Sequence, residues 1–273
     1  MQARTIIAAT IVALLSFACA NETASNFFKS TPTFYPTAQQ NYEMGVKELK
    51  NGNWLNAQAY FLHIHKTFGF SKWATLSELG LADAQFGMEK WTEAVDGYKG
   101  FIKAHPGNER VQDGYAAYRI GLSYFKEIPS DFFIMPPSYE KDQGPVIDAL
   151  RELSAFADQY GDSPYAPEAR KLIGECVKKL TDHELYVARF YLDNNKPYAA
   201  IGRLEGIIKD YPASQREPEI MLLLGKTYLK MEKPTEARST FEKLSTQHPD
   251  DFRAEKARLY IQFIDKRYGT QKL

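Results

Sequence analysis

The chain opens on one apolar block and then changes its pattern. Ile6 to Leu15 are apolar apart from Thr10, behind the single charge of Arg4. Ser16, Phe17, Ala18 and Cys19 follow, and then the polar run Asn21, Glu22 and Thr23. A short apolar core behind one basic residue has the form of an export signal, too short to span a membrane. The rival reading, a buried N-terminal helix, fits poorly with the polar run that follows at once. Residues 20–37 are Asn-, Ser- and Thr-containing, hold Pro32 and Pro36, and lack periodicity, which predicts an extended tether. Beyond it no segment alternates apolar and polar residues as a half-buried strand would. Apolar positions such as Ile173, Cys176, Val177 and Leu180 instead recur at helical spacing, which makes Cys176 a buried, inert thiol.

From residue 38 small residues return in pairs. Gly45 and Ala57, Ala82 and Ala94, Ala188 and Ala200, and Gly225 and Ala237 each stand twelve apart. Four residues after each second member comes Phe61, Tyr98, Leu204 or Phe241, and Pro106, Pro212 and Pro249 close three of the units. A fifth pair, Gly121 and Ala149, is 28 apart and so carries 16 additional residues. Small residues let two antiparallel helices approach closely, and the large residue fills the gap behind them. One such hairpin cannot bury its apolar face alone, so the units must stack. The pattern resembles the tetratricopeptide repeat and implies an all-α, superhelical solenoid of five helix hairpins.

The additional residues fall near 128–145 and contain Phe132, Phe133, Ile134 and Met135 before Pro136 and Pro137. Prolines forbid a continuous helix there. An apolar loop of this length is either functional or packed on the convex face. Ser163 and Pro164 have the form of an N-cap and first helical residue. From there to about Leu192 only Gly174 and Pro167 interrupt, predicting one long helix of roughly 28 residues that joins the third and fourth units. The expected organisation is a signal at 1–18, a tether at 19–37, three repeats at 38–162, and the long helix with two repeats at 163–273.

Composition narrows the function. Lys and Arg number 34, as do Asp and Glu, so no basic footprint for nucleic acid exists. Seventeen Phe, 17 Tyr and 3 Trp exclude a disordered chain, and two cysteines cannot build a disulfide framework. Catalytic motifs fail one by one. Gly225-Lys226-Thr227 ends like a phosphate loop, but the glycine required five positions before Gly225 is Ile220. His183-Glu184 begins like a zinc helix, but Val187 stands where the second ligand belongs. His63 and His65 diverge on a helix, and His105 and His248 precede repeat-ending prolines. No enzyme, metal or cofactor is expected.

The end of the signal resembles a bacterial lipobox, with Ala18 before Cys19 and Leu15 close upstream. Ser16 and Phe17 depart from the usual residues. That resemblance implies cleavage before Cys19, its acylation, and attachment to a lipid bilayer. The whole mature chain resembles the BamD family, the lipoproteins of the outer-membrane β-barrel assembly machine. The blocks that carry the resemblance are Glu184-Leu185-Tyr186-Val187-Ala188-Arg189-Phe190-Tyr191, Ala200-Ile201-Gly202-Arg203-Leu204-Glu205 and Asp210-Tyr211-Pro212. Asp142-Gln143 and Ser163-Pro164-Tyr165-Ala166 belong with them. The resemblance implies a scaffold on the periplasmic side of the outer membrane of a Gram-negative bacterium. It implies docking of the barrel subunit BamA through the C-terminal repeats, receipt of unfolded β-barrel proteins, and accessory lipoproteins as further partners. Arg203 matches a family arginine on the BamA side; its plainer reading is a solvated helix arginine. A second function class stays open, a periplasmic repeat adapter that couples cell-envelope or cell-wall complexes.

Two surfaces follow from counting back from each small residue. Tyr42, Leu49, Leu76, Leu79, Phe86, Tyr115, Tyr118 and Phe125 fall at inward positions of first helices and would form an apolar peptide-binding groove. The bland reading has some of them packing neighbouring helices. One of these positions, held by Gln39, Leu76 and Tyr115 in the first three units, is Asp182 and Glu219 in the last two, with Arg189 and Lys226 just after the small residue. Such a charged surface suits a folded partner with paired charges.

Overall fold

The computed structural model describes residues 32–129, 137–212 and 214–269. The export signal, Cys19 and Phe132 to Pro136 lie outside them. The chain forms two compact units that part between Glu89 and Lys90. Among the described residues all regular structure is helical.

The first unit holds α1 (Ala38–Lys50), α2 (Trp54–Thr67) and α3 (Lys72–Gly87). Thr37 and Ser71 cap α1 and α3 by accepting from Gln40 N and Ala74 N. Phe61 is fully buried, and a Cβ placed on Gly45 or on Gly80 would stand 2.6 or 2.7 Å from its ring. Both glycines therefore set the approach of α1 and α3 to α2. The last residues of the expected tether are strapped to this hairpin. Buried Asn41 accepts from Tyr35 N at 2.9 Å and donates to the carbonyls of Tyr35 and Thr37 at 2.8 and 2.7 Å. The Tyr60 hydroxyl donates to Thr33 O, and Phe34 stacks on His63 with centroids 4.0 Å apart. The tether thus stops short of residue 37, because Asn41 satisfies the backbone of the residues before α1.

The second unit holds α4 (Trp91–Ala104), the single turn α5 (Glu109–Gln112), α6 (Tyr115–Glu127), α7 (Gly144–Gln159), α8 (Ala166–Asp193), α9 (Pro197–Asp210), α10 (Glu217–Lys230), α11 (Pro234–Gln247) and α12 (Phe252–Tyr268). Its small residues Ala94, Ala149, Ala188, Ala200 and Ala237 are all fully buried, as is Ala82 in the first unit. A Cβ on Gly121 would meet Leu153 at 2.7 Å, and one on Gly225 would collide with the Phe241 ring. Gly45 and Gly225 thus each face the large residue sixteen positions on, and Gly121, across the insertion, faces Leu153.

The long helix has the expected 28 residues, but it begins at Ala166, not at Ser163. Ser163 instead turns the chain. Its hydroxyl donates to Asp113 O at 2.7 Å and accepts from Tyr165 N. Pro167, which needs no intrahelical partner for its nitrogen, occupies the first turn. The expected boundary at 162/163 lies inside the second unit, where α8 packs against α7.

Four turns between successive helices share one feature that the pattern of small residues did not disclose. Gly52, Glu89, Asn195 and Glu232 all have positive φ, at 74°, 60°, 53° and 57°. Each stands five residues before the alanine of its second helix. The signal was present as this common phase, but two of the four residues are glutamates and carry no hint of a left-handed backbone.

Candidate protein-binding site

The charged C-terminal face is built where α8, α9 and α10 meet. Asp182 accepts from Lys178 one turn earlier at 3.0 Å and from Arg216, across on the next helix pair, at 2.5 Å. Arg216 also grips Glu219 with two bonds, at 2.9 and 3.0 Å, and Glu219 accepts from Arg189 at 2.5 Å. The result is a continuous charge ladder, Lys178–Asp182–Arg216–Glu219–Arg189, tying α8 to α10. Burial raises the Asp182 carboxyl, but hydrogen bonds from Arg216 and Lys178 outweigh it and hold the group below its ordinary value. Sequence reasoning named Asp182, Arg189 and Glu219 and missed Arg216, the residue that joins them. Its only signal is its place three residues before Glu219.

Arg203 on α9 reaches Glu184 on α8 with bonds of 3.0 and 3.2 Å, and its side chain is 45% exposed. The Glu184 carboxylate, together with Tyr191, raises its pKa further. Lys226 on α10 is exposed and, among the described residues, makes no ion pair. The expected charged face therefore contains two kinds of group. Arg189 and Arg203 are satisfied within the chain yet remain half-open, and Lys226 is uncommitted.

The eight apolar positions divide between the units, five in the first and three in the second. Tyr42 leans on Phe61 and Trp73 at 5.9 and 5.1 Å, and Leu49 packs on the same core. Leu76, Phe86, Tyr115 and Phe125 are half-buried. Leu79 and Tyr118 correct the expectation, being only 6% and 5% exposed. Both stand three residues before the repeat's small residue, hence on the same packed face of the helix. Tyr118 stacks on Tyr165 with centroids 5.2 Å apart and leans on Phe156 at 5.7 Å. Burial, and then the neighbouring Glu168, push its hydroxyl up to about 12.

Among the described residues no group of three or more His, Cys, Asp and Glu is arranged to hold a metal. His183 donates from Nδ1 to Tyr139 O at 2.6 Å, pinning the end of the insertion to α8, and His248 meets Glu217. Gly225-Lys226-Thr227 lies inside α10, where Gly225 serves packing. Cys176 is fully buried, and burial pushes its thiol up to about 12. No helix among the described residues is long and apolar enough to cross a membrane.

Comparison with known proteins follows the same lines. The model of the YfiO family, described as an outer membrane lipoprotein, matches residues 35–235. The outer membrane protein assembly factor BamD of Caulobacter vibrioides is 29% identical over 77% of this chain and 66% of its own length. BamD of Xylella fastidiosa strain Temecula1 is 24% identical over 87% of this chain and 79% of its own. BamD of Neisseria gonorrhoeae is 26% identical over 76% and 78%. The matched span runs from the strap before α1 to the start of α11 and includes the Arg203–Glu184 pair and the whole charge ladder. The chain belongs to the YfiO family of outer membrane lipoproteins, the BamD family.

Proposed function

We propose that this chain is the lipid-anchored scaffold subunit of an outer-membrane β-barrel assembly machine. It docks a BamA-type barrel subunit through its C-terminal repeats and receives unfolded outer-membrane proteins at its N-terminal repeats, without catalysing a reaction. The observation that carries this reading is the family match across residues 35–235, among relatives named as outer membrane protein assembly factors. The same match favours it over a cell-wall adapter. Cys19 is the acylation site in this reading and holds the chain at the periplasmic side of the outer membrane, beside accessory lipoproteins. Each buried CH₂ of an acyl chain contributes about 0.8 kcal/mol to that attachment.

The half-open guanidinium of Arg203 is the group offered to the barrel subunit, already oriented by Glu184 so that little side-chain entropy is lost on docking. Unfolded barrel segments meet the half-buried apolar side chains of the N-terminal repeats, with Leu76 and Phe86 the most direct candidates. The test is co-purification from a strain carrying tagged chain. Wild type retains the BamA-type subunit and Arg203→Glu loses it, while circular dichroism stays unchanged. Retention by Arg203→Glu at wild-type level would remove the proposed docking face. Binding of a labelled barrel-protein C-terminal peptide, weakened by Leu76→Glu, tests the receiving role separately.

A further inference from the structure

Helix α12 leaves large apolar side chains uncovered while burying mostly small ones. Its buried residues are Ala254, Ala257 and Ile264, whereas Phe252, Leu259 and Phe263 are 59%, 60% and 48% exposed. The spacings of seven and four residues place those three large side chains on one face. An apolar stripe left exposed on a helix invites association. Beside this stripe lies a recess of about 520 Å³ between α10 and α12, lined by Leu222, Lys226, Lys256, Leu259, Tyr260 and Phe263. None of the six is acidic, and neither lysine has a carboxylate partner among the described residues. Lys256 stands over the Phe252 ring at 5.1 Å and Arg267 over Phe263 at 5.9 Å, so cations fringe the apolar floor.

We propose that this recess is a docking site for an acidic, amphipathic segment of another protein chain. Apolar anchors enter between α10 and α12, and carboxylates meet Lys226 and Lys256. The volume falls within the range of formed ligand pockets and suits a few large side chains. A groove between two helices is the receptor form of helix-in-groove recognition. The unpaired lysines select the sign of the ligand's charge. A membrane surface is the less favoured occupant, because a bilayer meets a flat or convex face and this site is concave. The inference rests on the assembly reading only in giving Lys226 to a partner face. Arg203 does not line the recess, so loss of the barrel subunit and loss of this site are separate readouts.

The experiment uses the full chain with Cys19→Ser, which keeps acyl chains out of the assay. The probe is a fluorescein-labelled peptide of about 14 residues, with Leu or Phe on one helical face and Glu elsewhere. Fluorescence anisotropy should show saturable binding that weakens with salt. Affinity should fall at least tenfold in Lys226→Glu/Lys256→Glu and, independently, in Leu259→Ser/Phe263→Ser. All four side chains are exposed, so helicity should be retained. A Lys-for-Glu version of the peptide should not bind. Equal binding of that version, unchanged affinity in either variant, or no binding of the acidic peptide would overturn the proposal. Binding of phosphatidylglycerol vesicles that depends on Leu259 and Phe263, without peptide binding, would give the site to the membrane instead.

Discussion

The guanidinium of Arg216 lies 2.5 Å from the carboxylate of Asp182 and ties the long helix to the last repeat. Surface ion pairs contribute little one at a time, but Arg216 serves two carboxylates and is itself only 33% exposed. Arg216→Ala is expected to destabilise the chain by about 1–2 kcal/mol, since hydrogen bonds to charged groups are lost at a partly screened site. The effect should depend on pH. Asp182 has a folded pKa below its unfolded one, so its contribution is full above the unfolded value. It is lost as pH falls through the folded value. Urea unfolding of wild type and Arg216→Ala should therefore differ most near neutrality and converge below about pH 4. A gap that stays constant into acid would mean the pair does not carry the effect.

Glycine-to-alanine substitutions should divide by position. In an exposed helix interior the change ordinarily stabilises by about 0.5–1 kcal/mol. Gly202 in α9 has no heavy atom within 4 Å of the place a methyl group would take, so Gly202→Ala should follow that rule. Gly225 should reverse it, because the new methyl would run into the Phe241 ring, which is fully buried and cannot swing away. The expected cost is about 2 kcal/mol, the scale of overpacking in a core. Thermal melts of the two variants should move in opposite directions.

The same contact shows why the fold was legible in the sequence and much of the site was not. A close helix approach demands a residue without bulk and a large one opposite, and that demand is written in residue size at Gly45/Phe61 and Gly225/Phe241. Charge pairing leaves no such trace. Arg216 and Asp182 are 34 residues apart, and nothing local marks either as the other's partner. The apolar strip failed at Leu79 and Tyr118 for a geometric reason. Counting back three residues from a packed glycine or alanine returns to the packed face, so an apolar residue there reads equally as groove or core. The start of the long helix was misplaced because Ser163 makes its capping-type bond within a turn and across to Asp113, a contact 50 residues away.

Cys176 should be silent to thiol reagents. Its side chain is fully buried and its thiol is pushed up to about 12, chiefly by desolvation, so almost no thiolate exists at pH 8. Ellman's reagent added to the Cys19→Ser chain should release no thiolate in buffer and one equivalent in denaturant. Reaction in buffer within minutes would show that the second unit opens around α8.

The left-handed turns give a test of backbone preference alone. Glu232 holds φ at 57° between α10 and α11, in the phase where the first repeat places Gly52. An ordinary side chain in that region costs on the order of 1 kcal/mol. Glu232→Gly should recover part of it, raising stability by about 0.5–1 kcal/mol despite the added freedom of the unfolded chain. Glu232→Val should lower stability, since a β-branched residue tolerates positive φ least. Equal stability of the two variants would mean that the turn relaxes out of the left-handed region.

Tyr118 separates core from groove. Its ring stacks on Tyr165 and leans on Phe156, and its hydroxyl reaches the exposed Glu168. Tyr118→Phe keeps the ring and frees a carboxylate that water can solvate, so the cost should stay below about 1 kcal/mol near neutral pH. Tyr118→Glu buries a charge without a partner, at a cost of several kcal/mol, and should lower the melting temperature by roughly 10 °C. Alkali adds a second readout. The folded pKa of Tyr118 is raised above that of the unfolded chain, so its contribution is full below about pH 10 and is lost as pH rises towards 12. Wild type should lose stability across that window more steeply than Tyr118→Phe. A Tyr118→Glu chain with wild-type melting temperature would return this residue to the solvent-facing groove.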